Sequence, residues 1–141
     1  MKGKIITGHL SKGRPEDAGQ DIHCDSMVCI PANGSKAVTT NLRVAVPFGH
    51  VGLVWPRSGS SFKNHIETGA GVIDHEYRGE IKVKLYNFGD NEVCFEPDER
   101  VAQLLTIPVN SIPYDMATDD EAKALMECTN RGEDGFGSSG K

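Results

Sequence analysis

From Glu80 onward the chain alternates. Ile81, Val83 and Leu85 fall on one side and Lys82, Lys84 and Tyr86 on the other, the two-residue period of a strand with one face in a core and one in water. Short runs rich in branched residues recur at 4–7, 22–30, 37–46, 51–55, 66–73, 80–88, 92–95 and 101–107. Turn material separates them: PANG at 31–34, PFG at 47–49, GDN at 89–91 and EPD at 96–98. This punctuation predicts an all-β chain, a distorted jelly roll or β-sandwich. No long amphipathic helix alternates with the strands, which argues against a Rossmann-type or P-loop architecture. One segment departs from the pattern. TDDEAKALMEC at 118–128 places Glu121 three residues after Thr118, a capping box, and gathers its acids in the first turn, so a short helix is predicted there.

Candidate chemistry concentrates in three places. In GVIDHEYRG, at 71–79, Asp74 directly follows Val72 and Ile73, with Tyr77 and Arg78 close behind. A carboxylate on an apolar rim beside a tyrosine suits water activation; a hairpin whose acids are merely solvated fits equally well. PRSGSSFKNHI, at 56–66, offers Arg57 with serines around Gly59. Ser58 to Ser61 could open a short helix with free N–H groups for an anion. Taken alone, Arg57 reads as an ordinary surface ion pair. The tail RGEDGFGSSGK, at 131–141, reads alone as a frayed terminus. Its lone Phe136 is nevertheless hard to explain as core and suits stacking.

These segments, with AGQDI at 18–22 and ERVAQLL at 99–105, resemble the ordered motifs of trimeric dUTP pyrophosphatases, from about Ala18 to Gly140. The resemblance implies hydrolysis of dUTP to dUMP and pyrophosphate with Mg2+, by a homotrimer whose sites draw on three chains. On that resemblance Asp74 is the catalytic base, and Arg57, Ser58 and Gly59 contact phosphate. Gly69, Ala70, Gly71, Val72 and Ile73 form the hairpin whose main chain reads uracil, rejecting cytosine by leaving buried partners unpaired. Tyr77 packs under the deoxyribose, excluding a 2′-hydroxyl, and Gln103 bonds to phosphate or to the surroundings of the attacking water. Asp21 holds magnesium through water, as suits an ion that keeps part of its hydration shell. In the tail, Arg131, Phe136, Gly137, Ser138 and Ser139 close over the nucleotide. The domain expected is a β body at 1–130 followed by this covering tail at 131–141.

The chain departs from the family pattern at Gln20, where an aromatic is usual, and at Glu76, where aspartate is more common. It departs again at Ser60 and Ser61, where apolar residues are common, and at Asp134, where glycine is usual. None removes a reacting group. The related dCTP deaminases share the jelly roll and trimer, but GVIDHEYRG follows the hydrolase pattern. A non-enzymatic relative would be signalled by loss of Asp74, Gln103 or the tail, and all are present.

Composition refines this reading at few points. A length of 141 residues fits one domain. The net charge of −5 disfavours nonspecific nucleic-acid binding. With no long apolar run and no signal-peptide core, a cytoplasmic protein without membrane association is expected. Cys24, Cys29, Cys94 and Cys128 show no CxxC pairing and no regular spacing with the histidines. Reduced structural thiols are therefore expected, and a zinc site using His23 beside Cys24 is not.

Overall fold

The computed structural model describes residues 1–138 and Gly140; Ser139, one of the expected tail hydroxyls, and Lys141 lie outside the described residues. The chain divides into two compact units, Met1–Asn110 and Ser111–Lys141. The body–tail division expected at residue 130 falls within the second unit.

The first unit is built from antiparallel sheets. Its widest has the order β2 (Leu10–Ser11), β3 (Gln20–His23), β12 (Arg100–Pro108), β7 (His50–Trp55) and β9 (Val72–Ile73). A three-stranded sheet runs β5 (Ser35–Val38), β10 (Val83–Asn87), β8 (Ile66–Gly69). Two pairs complete it, β1 (Lys4–Thr7) with β6 (Arg43–Ala45) and β4 (Val28–Ile30) with β11 (Val93–Phe95). The alternation at 81–86 is realised: Ile81, Val83 and Leu85 are buried, whereas Lys82 and Tyr86 are exposed. They join Ile22, Ile30 and Val101 in one apolar core.

Three runs that look continuous in sequence are each broken in two, and a polar side chain or a left-handed residue sits at each break. At 22–30 the carboxylate of Asp25 accepts from Thr39 Oγ1 at 2.6 Å and Ser26 Oγ at 3.0 Å, turning the chain between β3 and β4. At 37–46 Glu80 accepts from the N–H groups of Thr40 and Asn41, both at 3.0 Å, where Asn41 has φ +55°. At 66–73 Ala70 and Gly71, with φ +53° and +97°, carry the chain from the three-stranded sheet to the five-stranded one. Local polar contacts and left-handed residues here win over β propensity. The two-residue β2 and the short helix α1 (Ser58–Asn64) add to the expected strands.

The expectation of four reduced thiols is corrected. Cys29 and Cys94 are direct partners in the β4–β11 register and form a disulfide, since antiparallel pairing sets opposed side chains within reach. Cys24 and Cys128 remain free. Cys24 is buried with its thiol donating to the Glu96 carbonyl at 3.0 Å, and burial pushes that thiol up.

In the second unit, α2 (Asp119–Glu127) forms where the capping box places it. Glu121 N–H donates to Thr118 Oγ1 at 3.2 Å, and Thr118 N–H donates to Glu121 Oε2 at 2.8 Å. Among the described residues no helix is long and apolar enough to cross a membrane.

Asn87 is the polar fastener of the core, 1% exposed. Its Nδ2 donates to the carbonyls of Ile30 and Asn91, and its Oδ1 accepts from Gly89 N–H. Asn87→Ala leaves those backbone groups without partners and should cost roughly 2–3 kcal/mol, read as a lower urea midpoint at fixed protein concentration.

Candidate active site

β12 lies between β3 and β7, and its register pairs Gln103 with Asp21 on one side and with Trp55 on the other. These three residues form a row across the sheet. Just past Trp55 the chain delivers Arg57, whose Nε donates to Asp21 Oδ1 at 3.0 Å. Arg100 approaches the other carboxylate oxygen, with Nη1 at 3.7 Å from Asp21 Oδ2. Gln103 finds the partner that a strand amide needs: its Nε2 donates to the Pro56 carbonyl at 2.9 Å. Its Oε1 lies over Gly19, where a Cβ would displace the Gln103 amide from this position. Asp21, Arg57, Ser58, Arg100 and Gln103 line one cleft of about 320 Å³.

Arg100 was not among the residues singled out from sequence, for a geometric reason. Strict alternation sets residues 100 and 103 on opposite faces of a strand. β12 carries an irregularity between Arg100 and Ala102, and Val101 and Ala102 are consecutively buried. A bulge of this kind reverses the parity and turns Arg100 toward Asp21.

α1 starts at Ser58 with Arg57 as its extended N-cap and no side-chain cap. Ser58 and Gly59 are exposed. The two departures here have structural roles: Ser60 is buried, and Ser61 Oγ hydrogen-bonds Glu67.

The hairpin residues stand elsewhere in the unit. Gly71 O accepts from Val54 N–H at 2.8 Å, and a Cβ on Gly71 would lie 2.9 Å from Val54 O. β9 then pairs Val72 with Leu53 and Ile73 with Gly52. Asp74, the next residue, opens a turn closed by Tyr77 N–H on Asp74 O at 3.1 Å. Tyr77 Oη donates to Glu80 O at 2.9 Å, and the ring lies against Gly79. Val72 and Ile73, the apolar rim beside Asp74 in sequence, do not enclose it. Ile73 turns into the core, Val72 is 66% exposed, and Asp74 itself is exposed.

Asp74 and the Asp21 row occupy opposite ends of β7. Asp74 lies one residue beyond the Gly52–Ile73 pair, whereas the row crosses β7 at Trp55. Four residues of strand separate these levels by about 13 Å, and three strand spacings across the sheet add about 14 Å in the perpendicular direction.

In the second unit, Arg131 Nε donates to the Asp134 carbonyl at 2.7 Å, so the backbone of the Asp134 departure anchors that arginine. Phe136 is fully exposed with φ +48°, Gly137 follows at φ +93°, and Ser138 N–H donates to Gly135 O at 2.9 Å.

A mostly-β jelly roll with an arginine-flanked carboxylate cleft, a glycine-bounded hairpin ending in an aspartate, and a glycine-rich aromatic tail defines a class of nucleotide-handling proteins. The chain belongs to the dUTPase family, whose model matches residues 7–140. It is 42% identical to the deoxyuridine 5'-triphosphate nucleotidohydrolase of Debaryomyces hansenii, over 93% of this chain and 79% of that protein. To the Candida albicans enzyme of the same name it is 40% identical, over 99% of this chain and 83% of the relative. Among solved structures, the Staphylococcus bacteriophage 80alpha dUTPase with dUPNHPP superposes with a TM-score of 0.86 at 26% identity, covering 99% of each chain.

Gly71→Ala tests whether the hairpin geometry is obligatory. With φ at +97° and the Val54 carbonyl in the way, the substitution should destabilise by about 1–3 kcal/mol. A thermal midpoint unchanged from wild type would show that the backbone relaxes freely.

Proposed function

We propose that this chain hydrolyses dUTP to dUMP and pyrophosphate, by attack of an Asp74-activated water on the α-phosphorus, in sites shared among three copies. The observation that carries this reading is the division of labour within one chain. The cleft holding Asp21, Arg57, Ser58 and Gln103 is not lined by Asp74 or Tyr77, which lie at the other end of β7. A site containing all of them is assembled between copies, and the tail of a third copy completes it.

In this reading Arg57 and Ser58 hold the triphosphate, with Gly59 admitting its oxygens close to the backbone. Among the described residues Arg57 engages Asp21 through its Nε, and its remaining guanidinium N–H groups suit phosphate oxygens. Asp21 suits Mg2+ bound through water: it is one of two carboxylates, with Asp17, among the cleft's basic and amide groups. Mg2+ is commonly held by one or two carboxylates together with waters and substrate phosphates. When bound, the ion neutralises and orients the phosphate chain. Gln103 Oε1, fixed by the Nε2 bond to Pro56, accepts from the water network.

The rigid main chain at Gly69, Ala70, Gly71, Val72 and Ile73 presents donors and acceptors to uracil. Tyr77, pinned by its bond to Glu80 O, offers a flat floor for deoxyribose. Asp74 orients the nucleophile and takes its proton. Arg131, Phe136, Gly137, Ser138 and Ser139 close over the base and phosphates, excluding water. The reaction limits uracil in DNA and supplies dUMP for thymidylate synthesis.

The decisive assay incubates the purified chain with each dNTP and Mg2+, following pyrophosphate and ammonia. Pyrophosphate from dUTP alone is expected; ammonia from dCTP, or no pyrophosphate from dUTP, overturns the reading. Asp74→Asn keeps the shape of the side chain while removing the base, so turnover should fall about 10²–10⁴-fold with nucleotide binding retained.

Truncation after Asn130 should leave the β unit intact, because α2 and the sheets lie upstream of the cut. Light scattering should give the mass of three chains for both proteins, with turnover of the truncated form down by at least about 100-fold. A fully active monomer would contradict the composite site.

A further inference from the structure

Three segments far apart in sequence bring metal-ligating atoms together at one corner of the β unit. His9 lies in the turn between β1 and β2, His23 ends β3, and Asp98 sits in the turn between β11 and β12. His9 Nε2 is 3.1 Å from Asp98 Oδ1, and His23 Nδ1 is 3.7 Å from the same oxygen. The two imidazoles lie with centroids 4.4 Å apart. All three ligand atoms fall within 4.8 Å of one another. In a tetrahedral zinc-type site with bonds of about 2.0–2.1 Å, neighbouring ligand atoms stand about 3.3 Å apart, and the observed 3.1 and 3.7 Å bracket that value.

We propose that His9, His23 and Asp98 form a binding site for a transition-metal dication of the zinc class. Two imidazoles and one carboxylate suit Zn2+ or Co2+ and are a poor match for Mg2+, which prefers oxygen ligands. The exposure of His9 and Asp98, 56% and 73%, leaves a fourth position for water. Cys24, the neighbour that made His23 notable in sequence, takes no part: it is buried, with its thiol on Glu96 O.

The supports of the site are in place. Asp98 is held at φ +70°, with its N–H donating to Cys24 O at 2.9 Å. His23 Nδ1 lies 2.7 Å from Asp98 O, and His23 Nε2 lies 2.6 Å from Ser11 Oγ. A metal at Nδ1 would take the place of that nitrogen's contact with the Asp98 carbonyl and leave Nε2 beside Ser11 Oγ. A hydroxyl bonded to the far ring nitrogen orients a ligating histidine. The bound ion would join the N-terminal segment, β3 and the turn that feeds β12. The other such group among the described residues, Cys29, Glu92 and Cys94, has its two sulfurs bonded to each other.

The test titrates Co2+ into the full, chelator-treated, non-reduced chain in saturating Mg2+, with Zn2+ as competitor. One Co2+ per chain is expected, with visible d–d bands, no thiolate charge-transfer band, and displacement by Zn2+. His9→Ala and Asp98→Asn remove ligands at exposed positions, and asparagine tolerates the left-handed backbone. Each should weaken Co2+ binding by about 100-fold while leaving the far-UV circular dichroism unchanged. Absence of the d–d bands in the wild-type chain overturns the proposal, as does binding undiminished in His9→Ala. A thiolate charge-transfer band that persists in both variants also overturns it, assigning the metal to cysteine.

Discussion

The two-sided pairing of β12 is the constraint on which the cleft depends. No single element carries both Asp21 and Arg57; they meet because β3 and β7 are each hydrogen-bonded to the same strand in fixed register. Val101, Ala102 and Leu104 anchor that strand in the core. A slip of one residue would exchange the faces of β12, placing Gln103 in the core and a leucine in the cleft. The bulge at its start adds Arg100 to the same face. The gathering of Asp21, Arg57, Arg100 and Gln103 in one cleft is therefore a property of sheet register before it is a property of any side chain.

Charge follows from that geometry. The chain as a whole is acidic, at −5, yet Asp21 is flanked by two guanidinium groups. A partly exposed pair of this kind adds little to stability. Its consequence is positional, since Asp21 holds one edge of Arg57 and points the rest of the guanidinium into the cleft. The two readings of Arg57 weighed in the sequence, ion pair and phosphate ligand, are therefore compatible.

Much of this was legible in the chain. The alternation at 81–86, the capping box at Thr118 and the turn dipeptides all act locally, and the structure follows them. The motif residues were legible only through resemblance, because nothing local distinguishes Asp21 from an ordinary turn aspartate. What the sequence concealed was consistently long-range or parity-breaking. Cys29 and Cys94 are 65 residues apart and meet only through the β4–β11 register. His9, His23 and Asp98 converge from three turns and strand ends that no spacing rule connects. Arg100 was hidden by a bulge. The runs at 22–30 and 37–46 were misjudged because Asp25 bonds the hydroxyls of Ser26 and Thr39 while Glu80 reaches across to backbone N–H groups, and periodicity carries no record of such contacts.

The exposure of Asp74 gains its meaning from the proposed composite site. Among the described residues Asp74 is exposed to water. The exposed Val72 beside it is an apolar side chain at the edge strand β9. Edge strands left open invite pairing, and β9 is kept to two residues by the left-handed Ala70–Gly71 step and the turn at Asp74. The same backbone features that shorten the edge would hold the hairpin rigid in the proposed recognition of the base. In that proposed site the nucleotide and the closing tail would cover Asp74 only once substrate is in place, so that free water is not activated to no purpose.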